Sequence, residues 1–361
     1  MAEKEWSAVL VAPNKIEMQQ FDIPEIGPEE GLLKIEMCAV CGTDPKAYHG
    51  KLDWFKLPMI LGHEVVGRIA AVGEIAARRW GVKKGDRVVA DSSQPCLHCY
   101  YCRMGMHRWC ENRVGWRVPC DVPPYIWGGY GEYQYLPPGS QIYKISESIS
   151  SEEAVLINAV IANGIQWVRL AGGASIGDAV LIMGMGAQGM AATIAAKESG
   201  ASPIIVTGLT GDEPRFELVK RFGADYTINA EKEDVLQVVG DLTDGRLADI
   251  VVEVAGSPEV IARTIDLVRV QGTVVCCSIV GSDVRVPLDT DKIAQREIRF
   301  QGVFTNDHKA MRAAIKLVES GKYPVGEIIS HRFPLHQAEE ALQASGGDIP
   351  GIKPIRSALV P

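Results

Sequence analysis

Over about the first 150 residues the apolar positions come in short stretches, at 32–37, 65–71 and 87–90, each closed off by Gly, Pro or Asp. That punctuation predicts short strands joined by turns, a β-rich region. Lys84-Gly85-Asp86-Arg87 reads as a turn feeding one strand, with the Asp86 side chain closing an Asx turn. From about residue 150 the pattern changes. Continuous apolar runs at 179–183, 203–208, 248–254 and 273–278 alternate with helix-like segments at 187–199, 213–222 and 259–270. Strands that are apolar on both faces, separated by helices, predict a doubly wound parallel sheet of α/β class. Past residue 291 the pattern is mixed, with a strand near 298–303, a helix near 307–320 and a tail, KPIRSALVP, able to return to the first region. The expected division is 1–150, 151–292 and 293–361, the last rejoining the first.

A chain of 361 residues is too long for one core and suits two domains. No apolar run approaches the roughly 18 residues of a membrane span, so no membrane partner is expected. The N-terminal MAEKEWSAVL lacks the basic-then-apolar pattern of an export signal, which points to the cytoplasm. A net charge of -8 argues against a nucleic-acid partner. The nine cysteines are odd in number, and four are clustered. Thiolates kept for metal in a reducing compartment fit this better than a disulfide framework.

Those four, Cys96, Cys99, Cys102 and Cys110, have C-x2-C-x2-C-x7-C spacing within about 91–115. Four soft thiolates so close together suit one tetrahedral Zn²⁺ with no open position, a structural site. Gly184-Met185-Gly186-Ala187-Gln188-Gly189 is G-x-G-x-x-G between an apolar strand and a helix, the context a dinucleotide pyrophosphate needs. Gly184 suits the tight turn, Gly186 the approach of the phosphates and Gly189 close helix packing, with the N–H groups at Ala187 and Gln188 opening the helix. Thr207 and Gly208 end the next strand where an acid would hold the adenosine ribose. Asp212 comes a few residues late and Arg215 follows it, so NAD and NADP both remain open. With no basic cluster beside Arg215, the lean is towards NAD. In the first region Cys41 and His63 are good ligands for a catalytic zinc.

CGTD at 41–44, GHE at 62–64, KKGDRV at 83–88, the four-cysteine lobe and GMGAQG occur in one order. In this the chain resembles the zinc-containing medium-chain alcohol and polyol dehydrogenases along essentially its whole length. The resemblance implies a GroES-like catalytic domain completed by the C-terminal segment, a Rossmann domain between, and oxidation of a zinc-bound alcohol by NAD(P). It makes Cys41 and His63 catalytic zinc ligands and Thr43 the hydroxyl that takes the substrate proton. Asp44 would orient a ligand. Lys46, where some relatives have a relay histidine, could bond a cofactor ribose or phosphate. The third zinc ligand of relatives falls here on Ala159, which cannot coordinate, and Glu64 is the replacement expected, ahead of Asn158 and Glu153. The substrate would be a secondary, polyol or cyclic alcohol or its carbonyl, and the assembly a homodimer or homotetramer. Two alternatives stand beside this: a reductase of the same fold without the catalytic zinc, and a non-catalytic nucleotide-binding protein.

Overall fold

The computed structural model describes residues 3–52, 55–92, 94–281 and 283–361. It divides into two compact units, Met1–Ala159 with Ile315–Pro361, and Val160–Ala314. No helix among the described residues is long and apolar enough to cross a membrane.

The first unit is β-rich. Its central strand, Gly31–Ala39, pairs antiparallel with Glu64–Val72, which continues to Arg87–Ala90 and Ile142–Lys144. Tyr133–Leu136 also lies against Gly31–Ala39. The sheet's other side is completed from the far end of the chain. Arg356–Val360 pairs antiparallel with Gly31–Ala39 and parallel with Ile329–Pro334. A second sheet joins Lys15–Asp22, Lys4–Ala12 and Met59–Ile60. Leu10, Leu33, Ile60, Leu61, Ile69 and Ile126 are fully buried between these layers. Each contributes about 1.5–3 kcal/mol relative to exposure.

The second unit is a Rossmann-type parallel sheet. Its strand order is Tyr226–Asn229, Ile204–Gly208, Val180–Met183, Ala248–Glu253, Val268–Cys276, Arg299–Gly302. The order reverses beside Val180–Met183, the strand that leads into the glycine-rich turn. Dinucleotides bind outside the carboxyl ends of strands at such a reversal. The strand expected near 298–303 is the edge of this sheet, so the chain leaves the unit at Ala314 rather than near 293. Its parallel pairing to Val268–Cys276 keeps it there, and the mixed local pattern did not reveal that partner.

Candidate functional site

The chain leaves strand Gly31–Ala39, turns at Cys41 and enters the short helix Thr43–Tyr48. Asp44 on that helix is fully buried. Its Oδ2 accepts the Cys41 N–H at 2.8 Å and the Tyr130 hydroxyl at 2.9 Å. Its Oδ1 lies 3.7 Å from His63 Nδ1, a charge contact rather than a hydrogen bond. Burial raises the Asp44 carboxyl above its ordinary value, opposed by His63 and by the Cys41 and Tyr130 bonds. Gly62, at φ 88°, delivers His63, and a Cβ there would come within 2.4 Å of the Tyr130 ring. The His63 ring stacks on Trp116 at a centroid distance of 4.2 Å and 23°. With Asp44 facing Nδ1, Nε2 is the nitrogen left for a metal.

The Cys41 sulfur, a His63 nitrogen and a Glu64 oxygen lie within 4.8 Å of one another. One soft, one intermediate and one hard donor make a set that Zn²⁺ accepts. The electrostatics fit a cation. Burial lowers the His63 pKa, but Cys41, Asp44 and Glu64 overcome it and raise the imidazole to about 9. Thr43 Oγ1 is buried beside this cluster in the chain and makes no hydrogen bond among the described residues. Glu64 is itself fully buried, and Arg356 Nη2 donates to both of its oxygens. Lys46 sits half-buried on the Thr43–Tyr48 helix.

The other ligand candidates are differently placed. Glu153 closes a capping box with Ser150, accepting the Ser150 N–H at 2.8 Å. The buried Asn158 amide donates to the Ala90 carbonyl at 3.1 Å. Ala159 follows it within the π-helical segment Ile157–Ala162. The sequence left the aromatics Trp54, Phe55, Trp116, Tyr125, Trp127 and Tyr130 evenly divided between pocket lining and core or subunit interface, and nothing in it marked Arg356. Tyr130 and Trp127 are buried, Tyr125 is exposed, and Trp54 lies outside the described residues.

Cys96, Cys99, Cys102 and Cys110 also bring their sulfurs within 4.8 Å of one another. All nine cysteines are free thiols. Backbone N–H groups of Cys96 and Asn112 donate to Cys110 Sγ at 3.2 and 3.3 Å, and that of Cys99 to Cys96 Sγ at 3.4 Å. The backbone about His98 brings the Cys96 thiol down to about 6, whereas burial pushes Cys102 up to about 12. Four crowded sulfurs remain thiolates together only with a cation among them, which fits zinc.

In the second unit, Val180–Met183 ends at the glycine-rich turn and helix Ala187–Glu198 begins. A Cβ on Gly189 would stand 2.0 Å from the Gly184 carbonyl, whereas one on Gly186 would meet nothing within 4 Å. The first glycine serves packing. The second leaves open space at a helix N-terminus, where a pyrophosphate fits. Thr207 is buried at the end of Ile204–Gly208. Arg215 pairs with Asp212 at 3.0 Å, and Asp212 also accepts the Leu209 N–H.

Residues 27–147 match the model of the alcohol dehydrogenase GroES-like domain, and residues 187–320 that of the zinc-binding dehydrogenase. A probable alcohol dehydrogenase of Mycobacterium tuberculosis is 38% identical over 98% of this chain and 97% of its own. An erythritol/L-threitol dehydrogenase of Mycolicibacterium smegmatis is 29% identical over 99% and 98%. The crystal structure of an alcohol dehydrogenase of Thermotoga maritima superposes with a TM-score of 0.90 at 25% identity, covering 100% of both chains.

Proposed function

The chain belongs to the zinc-containing medium-chain alcohol dehydrogenases, oxidoreductases acting on alcohols, and from that premise we propose that it interconverts a secondary, polyol or cyclic alcohol and its carbonyl with zinc and NAD. The gathering of Cys41, His63 and Glu64 within 4.8 Å carries this reading. The erythritol/L-threitol dehydrogenase among the relatives supports a polyol range. Cys41, His63 and Glu64 hold the catalytic metal, and the four-cysteine lobe holds a structural one. The turn from Gly184 to Gly189, with Thr207, holds the dinucleotide.

When bound, zinc supplies Lewis acidity that lowers the pKa of the alcohol, and the nicotinamide accepts the hydride from its carbon. The rest of the task falls to side chains. Thr43 Oγ1, which makes no hydrogen bond among the described residues, accepts the alcohol O–H proton and passes its own towards solvent. Loss of that proton and of two electrons with the hydride leaves the carbonyl. Asp44 keeps the His63 ring in one orientation, and Trp116 limits its tilt. Lys46 is proposed to bond a ribose or phosphate oxygen of the cofactor.

Metal analysis and one variant test this. Two zincs per chain are expected, and Thr43→Ala lowers kcat by about 10²–10⁴-fold with NADH binding retained, Thr43→Ser less. Unchanged turnover in Thr43→Ala removes the residue from the mechanism. The catalytic-zinc-free reductase is the second reading, motivated by Ala159. One zinc per chain, confined to the cysteine lobe, favours it.

A further inference from the structure

We propose that the first unit binds a small zwitterion, an α-amino acid with an aromatic side chain, in a recess between the hairpin of Lys4–Ala12 with Lys15–Asp22 and the loop that carries Cys120 and Tyr125. The recess has a volume of about 390 Å³, within the roughly 300–1,000 Å³ of small-molecule sites. Lys4, Phe21 and Asp22 line it from the hairpin, and Cys120, Asp121 and Tyr125 from the loop. Cys41, His63 and Glu64 take no part in the lining, so the recess is separate from the metal cluster.

The charges on its walls define the ligand. Lys4 and Asp22 stand opposite each other across the hairpin, where side chains share one face and opposite charges attract. Yet Lys4, Asp22 and Asp121 form no ion pair and no side-chain hydrogen bond among the described residues. One ammonium and two carboxylates facing one space match a molecule that carries both signs. Its carboxylate goes to Lys4 and its ammonium to Asp22 and Asp121. The apolar part has a wall of its own. The Phe21 and Tyr125 rings are nearly parallel, at 21°, with centroids 6.4 Å apart. That is towards the long end of the roughly 4.5–7 Å range for ring pairs, so a third ring can join them without breaking a tight contact. Tyr125 is 39% exposed and holds φ at 74°, a left-handed conformation that a bulky residue keeps only under constraint. Donation of its N–H to the Val122 carbonyl at 2.9 Å supplies part of that constraint. Behind it Cys120 is buried, and its N–H donates to the Pro58 carbonyl at 2.9 Å, which fixes the loop.

The test is calorimetric titration of the full zinc-loaded chain with four probes. Phenylalanine carries ammonium, carboxylate and ring. Phenethylamine lacks the carboxylate, hydrocinnamate the ammonium, and alanine the ring. Phenylalanine is expected to bind about tenfold more tightly than each of the others, the scale of one charge-assisted bond or one buried ring contact. Lys4→Gln is expected to weaken phenylalanine to the level of phenethylamine, and Asp22→Asn combined with Asp121→Asn to that of hydrocinnamate. Tyr125→Gly, which removes the ring and suits the positive φ, is expected to weaken it to the level of alanine. All these variants should keep their zinc and their alcohol turnover. If Tyr125→Gly does not fold, the charge variants decide. No binding of phenylalanine up to its solubility limit overturns the proposal. Equal affinity for phenylalanine and phenethylamine also overturns it, and makes the recess a site for organic cations. Alanine chelates zinc as phenylalanine does. Equal binding of those two, or phenylalanine binding unaltered in Lys4→Gln, therefore places the amino acid elsewhere and overturns the proposal as well.

Discussion

At the scale of single residues, Glu64 has two attachments that pull on one carboxylate. It stands with Cys41 and His63 around a metal-sized space, and both its oxygens accept from Arg356. Glu64→Ala is expected to deplete the catalytic zinc while leaving the cysteine-lobe zinc. It also strands a buried guanidinium, at a cost of about 3–5 kcal/mol. Glu64→Ala combined with Arg356→Met should regain most of that stability without regaining the metal. Metal content and thermal midpoint, measured on both variants, separate the two roles, and a full second zinc in Glu64→Ala would remove Glu64 from the ligand set. Arg215 offers a similar test. Asp212 occupies it at 3.0 Å, which weakens its call on a 2′-phosphate and supports NAD. Asp212→Asn should move the ratio of kcat/KM towards NADP by about tenfold, the scale of one charge-assisted bond. An unmoved ratio would mean that Arg215 lies away from the ribose. The four clustered cysteines could be picked out in the sequence because ligand type and short spacing are local facts, whereas Cys41 and His63 stood out through the CGTD and GHE motifs that the chain shares with the dehydrogenases. Arg356 could not, because it reaches Glu64 across 292 positions.

Among the elements, those most legible in the sequence were the strands and helices of the second unit. Runs such as Val180–Met183 and Ala248–Glu253 are largely apolar and bounded by glycines or polar turns, so they stand out as strands with both faces covered. The hairpin Lys4–Ala12 with Lys15–Asp22 was not legible, since KIEMQQFD carries too little apolar alternation to declare a strand. That hairpin holds a titrating group. Glu5 is fully buried and accepts from Ser7 Oγ at 2.7 Å and from the Glu132 N–H at 3.0 Å. Burial raises it to about 7 despite those bonds. A raised carboxyl stabilises the fold in its protonated form. Its contribution is complete below the ordinary value of 4.5 and is lost as pH climbs through about 7. Denaturant titrations should therefore show stability falling between about pH 4.5 and 7 by roughly 3 kcal/mol from this group, and level above that. Glu5→Gln should flatten that part of the curve, and an unchanged slope would assign it elsewhere. The cysteine lobe is the opposite case, an element with little apolar packing of its own beyond its sulfurs. Cys99→Ser should release one zinc and lower the thermal midpoint, and unchanged metal content would refute the assignment.

On the scale of the whole molecule, the change of pattern near residue 150 pointed to two architectures, while the units divide after Ala159 and after Ala314. The tail KPIRSALVP was readable as a returning segment, and it becomes the strand beside Gly31–Ala39. Its consequence concerns the order of events during synthesis. The second unit is one uninterrupted stretch, Val160–Ala314, and can fold as it emerges from the ribosome. The first unit must wait through all of that time with the Cys38–Ala39 end of its central strand unpaired on one side, and with Glu64 still lacking its guanidinium. A nascent chain thus exposes the proposed metal ligands and the open end of a strand before the tail arrives. A chaperone that shields such edges, or early zinc capture, has its window of action there.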